Sequence, residues 1–498
     1  MAIESSGAIS LGTTAGTDRS ISAEFGGSVP HSLSEYYDKG NAPASGEIQM
    51  GADFHGTSAG VWFSAPTLGS EHTFNPGTPL YRTTEPSVAW DPHTAGRFAI
   101  AYTDWASSNT NTYPPKGKVQ IGTVSGTTIS WGSEYEFYSS LNGYNAYCSI
   151  VWDPHTANKF MVIYRSATNY YSGGGKIGTV ASTNVITFGS EYQWTTNALD
   201  SRVEYCRLVF DPNTSGSFVI VWTTNRGYPR AYGRVIAGTI SGTTITYGTG
   251  VTYTDRFRAH SLAFDPNTAG KFGIAYTGDN TSFPDYHYHG RVVIGTVSGT
   301  TVTLGTPVTF AIGAGLDGRA IDSIDIAFDP NDSGKFVVAY KDTDYDYEHG
   351  DTHGGLDSAK AIVGTRSGTS CTFGTAVNFG TDGVLYDLNI DFGATGKCLI
   401  FYKIPLMVYT GSLPWEGWQV TDGDTNLIIG TVSGTSTTWG TEVTVQNPGD
   451  DVINSQKSAR AIMRFDPTTV GRFIVLILGD GDGSFKHHCK IGNCYGAE

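Results

Sequence analysis

The sequence predicts an all-β chain folded as a seven-bladed β-propeller, with four-stranded antiparallel blades and a last blade closed by an N-terminal strand. Three observations predict it. A phrase typified by "DPNTAGKFGIAY" (265–276) recurs seven times along 498 residues. The strand inside that phrase is apolar on both faces. The two ends of the chain carry complementary fragments of one repeat.

The phrase places its aspartates at Asp91, Asp153, Asp211, Asp265, Asp329, Asp391 and Asp466, in steps of 62, 58, 54, 64, 62 and 75 residues. The copy at Asp391 ("DFGATGKCLIFY") is degenerate, with Phe392 in place of proline. A second phrase follows each copy, such as "IGTVSGTTISWGSEYEF" from Ile121 and "IGTVSGTTVTLGTPVTF" from Ile294. A recurring period of this length signals a repeat architecture. Each unit reads as strands A to D; in the fourth unit these fall near 258–264, 271–277, 290–297 and 301–310. The A–B turn is Asp-Pro-x-Thr-x-Gly-Lys/Arg. Proline presets φ, the Asp carboxylate can accept from backbone two residues on, and Gly supplies a left-handed position. The C–D turn is Ser-Gly-Thr, a short hairpin with Gly where φ must be positive.

Strand B decides the packing. In "KFGIAY", Phe272, Ile274 and Tyr276 share one face and Gly273 and Ala275 the other. Val337 and Ala339, or Val219 and Val221, fill that second face in other copies. A two-layer sandwich would leave one face polar, whereas blades stacked radially cover both. The seventh unit ends after its strand C, "CKIGNCYG". Near the other end, "TLGSEHTF" (67–74) matches the strand D string "SWGSEYEF" (130–137) with no A, B or C phrase before it. A strand lent by the N-terminal side would complete the last blade and remove open edges.

Composition narrows the function. Gly, Tyr, Phe and Trp are frequent and charged residues scarce, as in a turn-rich β protein. The formal charge of −15 argues against a nucleic-acid partner, which needs a basic face. No run of 18 apolar residues is present to span a membrane. The opening "MAIESSGAIS" lacks the basic and apolar regions of a secretory signal. Six cysteines are too sparse for a disulfide scaffold, and the spacing in "CKIGNC" fits zinc poorly. Cys489 and Cys494 therefore read as free or core thiols, and Cys148 and Cys206 as small core residues in equivalent registers.

Residues 1–56 stand outside the repeat, and 57–498 form the propeller domain. The leader contains "SGAISLGTTAG", "SLSEYY" (32–37) and "SGEIQMGADFHG". It resembles the short N-terminal modules of tailed-bacteriophage structural proteins, which carry an "SGxISxxxF-G" phrase and a "SLSEYY" phrase. The Asp-Pro and Gly-Thr-x-Ser-Gly-Thr phrases are similar to repeats of phage tail and fibre proteins. The resemblance implies a virion protein, assembled in the host cytoplasm and present in several copies. It implies docking to other virion proteins through residues 1–56, with Phe25, Leu33, Tyr36, Tyr37 and Phe54 as the apolar contacts.

Within the seven units the A–B and C–D turns barely change, while the B–C connections vary greatly. Free loops on a rigid scaffold host recognition. These loops are rich in aromatic and polar side chains. Tyr and Trp can stack on the apolar faces of sugars while Asp, Asn and His bond the hydroxyls. The glycan-binding candidates are Trp105, Tyr113, Tyr170, Tyr171, Tyr228, Tyr286, His287, Tyr288, Tyr345, Tyr347, Trp415 and Trp418. The expected partner is a host cell-surface polysaccharide. An architectural role, with the same loops meeting neighbouring virion subunits, is the alternative.

"DTDYDYEHGD" (342–351) would align Asp342, Asp344, Asp346 and Glu348 on one side of an extended segment. Such crowding invites a cation, and Ca²⁺ is the candidate cofactor. The sixth place of an EF-type loop is Tyr347 rather than Gly, so a solvated acidic loop is the preferred reading. No enzyme is expected. Asp285, Asp344, Asp346, Glu348 and Glu416 could supply a glycosidase pair, making a depolymerase the second alternative, but nothing fixes their separation and no nucleophile motif is present.

Overall fold

A computed structural model describes residues 61–74, 86–104, 115–139, 147–166, 172–195, 203–225, 231–254, 257–279, 288–312, 320–343, 358–380, 387–394, 396–403, 406–409, 418–421, 425–446, 462–478 and 487–496. Among these residues there is no helix. Strands form seven antiparallel blades arranged in a ring, a seven-bladed β-propeller. The chain divides into two units, Met1–Phe63 with Cys494–Glu498, and Ser64–Asn493. The docking residues Phe25, Leu33, Tyr36, Tyr37 and Phe54 lie outside the described residues.

The first blade runs Ser87–Trp90 (strand A), Arg97–Asp104 (B), Lys116–Ser125 (C) and Thr128–Tyr138 (D), hydrogen-bonded in that order. The fourth confirms the sequence reading, with A at Phe257–Phe264, B at Lys271–Asp279 and C at Tyr288–Ser298. Its strand D is broken into Thr301–Leu304 and Val308–Ala311, and four other blades break theirs likewise. The last blade has the order Val61–Phe74, His487–Gly496, Arg472–Leu478, Ile462–Phe465. The strand holding 67–74 therefore closes the ring as its outermost member. Thr67 Oγ1 donates to Asn493 O at 3.0 Å, and Glu71 lies 2.9 Å from His488 Nδ1.

The core sits between blades. Phe272, Ile274 and Tyr276 pack into the cluster shared with the third blade, whereas Ala275 joins the cluster shared with the fifth. This is why strand B cannot afford a polar face. Another cluster joins the closing strand and seventh blade to the first, through Phe74, Trp90, Tyr102 and Ile474. Trp90 Nε1 donates to Arg464 O at 2.9 Å across the same junction.

The invariant phrases are packing devices. In every blade a Gly on strand C lies opposite the second residue of strand B, as Gly295 opposes Phe272. A Cβ on Gly295 would sit 2.0 Å from the Phe272 ring, and one on Gly122 would sit 2.2 Å from Phe98. Gly295→Ala should therefore cost about 1–3 kcal/mol by overpacking, read as a lowered thermal midpoint; an unchanged midpoint would show that Phe272 can swing aside.

The Asp-Pro turn ties neighbouring blades. Asp265 Oδ1 accepts from Asn267 N at 2.9 Å, as the sequence predicts, and Gly270 has φ +70°. The other carboxylate oxygen reaches beyond its own turn: Asp211 Oδ2 accepts from Gly270 N at 2.8 Å and Asp329 Oδ2 from Gly396 N at 2.6 Å, each in a later blade. The residue after proline bridges as well, with Asn213 Nδ2 donating to Pro266 O and Asn267 Nδ2 to Asp329 O. The buried Asp211 and Asp329 carboxylates thus draw donors from a neighbouring blade, whereas Asp91 and Asp466 are met by Arg97 and Arg472 of their own turns.

The copy at Asp391 is corrected by the structure. Phe392, not the residue before Asp391, pairs with Cys398 as Phe264 pairs with Phe272. The turn in the sixth blade is thus two residues shorter, and Asp391 stands on strand A opposite Leu399. Counting back from Lys397 conceals this, because the deletion falls inside the turn. Burial raises the Asp391 carboxyl above the ordinary range, against the pull of Arg464 and of the Phe465 and Phe392 amides.

Candidate functional site

The rim opposite the Asp-Pro turns is set by strand pairing. Strands B and C pair to their ends in each blade: Asp104 with Lys116, Arg165 with Gly173, Asn225 with Ala231, Asp279 with Tyr288. The pattern continues with Asp342 and Ser358, Lys403 and Thr425, and Leu478 and His487. All seven B–C connections therefore leave from one rim.

Trp105, Tyr113, Tyr170, Tyr171, Tyr228, Tyr286, His287, Tyr345, Tyr347 and Trp415 fall in these connections, outside the described residues. Two candidates are anchored through their backbones. Tyr288 opens strand C of the fourth blade and bridges to Ala320 of the fifth. Trp418 begins Trp418–Thr421, which pairs with Leu406–Tyr409 as a hairpin inside the sixth B–C excursion, Trp418 opposite Tyr409.

Beneath the loops lies a layer of paired charges. Lys118 Nζ bridges Asp104 and Glu134, at 2.5 and 2.9 Å, and the Tyr102 hydroxyl donates to Glu134. Burial alone would lower the Lys118 ammonium, but the bonds and charges of Asp104 and Glu134 outweigh it and hold it above its usual value. Burial, with Glu134 adding to it, pushes the Tyr102 phenol far above its ordinary range, so it stays a hydrogen-bond donor. Arg165 faces Glu204 at 3.7 Å, and the Tyr402 hydroxyl donates to Glu442 at 2.5 Å. Such neutralised polar footing suits loops that must be held still.

Of the four calcium candidates, Asp342 is described; Lys360 Nζ lies 2.6 Å from its carboxylate. Asp344, Asp346 and Glu348 lie outside the described residues, as do Asp285 and Glu416. Among the described residues no group of three or more His, Cys, Asp or Glu could hold a metal. All six cysteines are buried and none is in a disulfide, as the sequence reading of core thiols expects.

Inside the ring runs a channel of about 740 Å³, walled by the A strands. An innermost strand leaves one edge of N–H and C=O groups without a strand partner. One register position of strand A answers this need: Ser87 Oγ accepts from Ile150 N, and Ser149 Oγ from Leu208 N, each in the following blade. In the fifth blade the position is Asp325. Its carboxylate accepts from Ser261 Oγ, Asn389 Nδ2 and Ile390 N, and lies 3.6 Å from Arg207 Nη1. Asn389 Oδ1 passes the chain on to Met463 N and Arg464 Nη1, both at 2.8 Å.

Where the A strands approach the variable rim, three successive blades carry one extra residue. The pairing slips between Glu204 and Arg207, between Phe257 and His260, and between Asp322 and Ile324. Tyr205 and Ser323 take positive φ there, +51° and +42°. Sequence reasoning missed these bulges, since "VEYCRLVF" offers no glycine or proline to mark them.

No protein-family model and no curated protein matches this chain. Solved structures do. A lectin from Burkholderia pseudomallei aligns with a TM-score of 0.51 and 10% identity, covering 83% of this chain and 96% of that one. An α-L-arabinanase of Penicillium chrysogenum aligns at 0.43 and 10% identity, covering 88% and 98%. At this identity the likeness shows the fold, and a fold hosts many chemistries.

Proposed function

We propose that the chain is a structural protein of a tailed-bacteriophage tail or fibre, and that its variable rim binds a host-surface glycan. The observation that carries the reading is the contrast between the rims. Turns on one rim are tied down by their aspartates, Asp211 and Asp329 to a neighbouring blade and Asp91 and Asp466 to the arginine of their own turn, which accounts for how little those phrases vary. The other rim presents seven unlike connections, rich in Tyr and Trp, on a footing of neutralised charge. A scaffold with one fixed and one variable rim is suited to recognition. The propeller fold shared with a lectin is compatible with carbohydrate binding. The virion role rests on the resemblance of the leader and the repeat phrases. Weak sites would gain strength from several copies per particle.

The test is a glycan array of bacterial surface oligosaccharides probed with the full chain. Trp415→Ala and Trp418→Ala are each expected to weaken binding by about tenfold or more, the usual effect of truncating an aromatic hot spot. No signal, together with firm incorporation into particles, would favour the architectural role. Shortened oligosaccharide would establish a depolymerase.

A further inference from the structure

We propose that Tyr205, in the strand-A bulge of the third blade next to the channel-lining Cys206, is a saccharide-stacking residue built into the rigid scaffold rather than into a loop. The inference rests on the glycan-binding reading and adds a central contact to it.

Four features point to this residue. Tyr205 is 37% exposed, and among the aromatic residues whose burial is described no other is exposed. Its φ of +51° is an outlier for a bulky residue, which folding alone gives no reason to keep. The strain arises in a β-bulge, a device that re-aims a side chain. The backbone is also held deliberately: His260 Nε2 donates to Tyr205 O at 2.6 Å, while His260 Nδ1 accepts from the Tyr253 hydroxyl. His260 is buried and belongs to the next blade, so the clamp spans two blades.

The surroundings suit a pyranose. The Tyr205 ring rests against Tyr147, with centroids 4.8 Å apart and planes tilted by 44°. Glu204, the preceding residue, faces Arg165 at 3.7 Å, so a carboxylate and a guanidinium are carried next to Tyr205 in the chain and across the blade junction. An apolar platform flanked by hydrogen-bonding groups matches the alternating C–H face and hydroxyl rim of a sugar ring. A site on strands is more precise than one on loops, because packing fixes its members.

The experiment uses the full chain and the same oligosaccharide array, followed by titration of the best-bound oligosaccharide. Tyr205→Asn accepts positive φ readily, so its thermal midpoint should stay near that of the parent while affinity falls about tenfold or more. Tyr205→Phe keeps the ring and should retain affinity within about threefold, since the stacking surface is unchanged. If the parent chain binds and Tyr205→Asn binds equally well, the inference is wrong and the loop-based reading stands. If the parent chain binds no oligosaccharide, both fail. Loss of binding accompanied by an equal fall in Tyr205→Phe, or by a collapsed midpoint in both variants, would assign Tyr205 a structural role instead.

Discussion

A chain beginning at residue 75 is expected to lose its cooperative thermal transition and to associate through the exposed edge of the last blade. The missing strand, Val61–Phe74, supplies the fourth member of that blade. It also touches blades on both sides. Ser64 O accepts from Thr441 N in the sixth blade, and His72 Nε2 meets Thr127 O in the first. Phe74 is fully buried against Tyr102 and Trp131, with centroids 5.9 and 6.0 Å away. Removing a buried Phe side chain alone costs about 3–5 kcal/mol, and a whole domain has only about 5–15 kcal/mol to lose. Loss of the strand bonds comes on top of this. The bare edge of His487–Gly496 would then be a template for another chain. Differential scanning calorimetry and size-exclusion chromatography read both effects. Adding a synthetic peptide of residues 61–74 should restore the transition. A truncated chain that melts as a monomer at the parent temperature would mean the ring does not depend on its closing strand.

Asp325→Ala should be among the most destabilising single substitutions in the channel wall. Asp325 is 3% exposed, and its carboxylate serves four groups from three other blades: Arg207 of the third, Ser261 of the fourth, and Asn389 and Ile390 of the sixth, while Asp325 itself lies in the fifth. Alanine leaves Ile390 N and Asn389 Nδ2 without their acceptor and Arg207 without its nearby carboxylate. Breaking one side of a buried charged network costs about 3–5 kcal/mol. Ser87→Ala at the equivalent position removes one acceptor, that of Ile150 N, and should cost about 1–3 kcal/mol. Urea unfolding of the two variants gives the comparison directly. Equal losses would show that Asp325 acts as one more cap for an edge amide and that the wider network contributes nothing.

Much of this architecture was legible in the residues. The alternation of Phe272, Gly273, Ile274, Ala275 and Tyr276 already demanded cover on both faces, and the stray "TLGSEHTF" already required a partner strand. The turn chemistry of Asp265, Asn267 and Gly270 is local, so sequence spacing sufficed to read it. Strand order likewise assigned the B–C connections to one rim, and the pairing of B with C shows them leaving from one rim.

Sequence alone determined the ring, its seven units and the location of its variability, because these follow from periodicity and from short-range backbone preferences. Tertiary structure decided the rest. It showed that Asp391 belongs to a strand and not to a turn, that the invariant Gly of strand C makes room for an aromatic ring on strand B, and that Asp325 gathers donors from three other blades. It also placed Tyr205 in an exposed, left-handed bulge clamped by His260. Apart from the register at Asp391, each of these depends on groups brought together from 23 to more than 60 positions apart. Distances of that kind are set by how blades pack, and no local pattern of residue types encodes them.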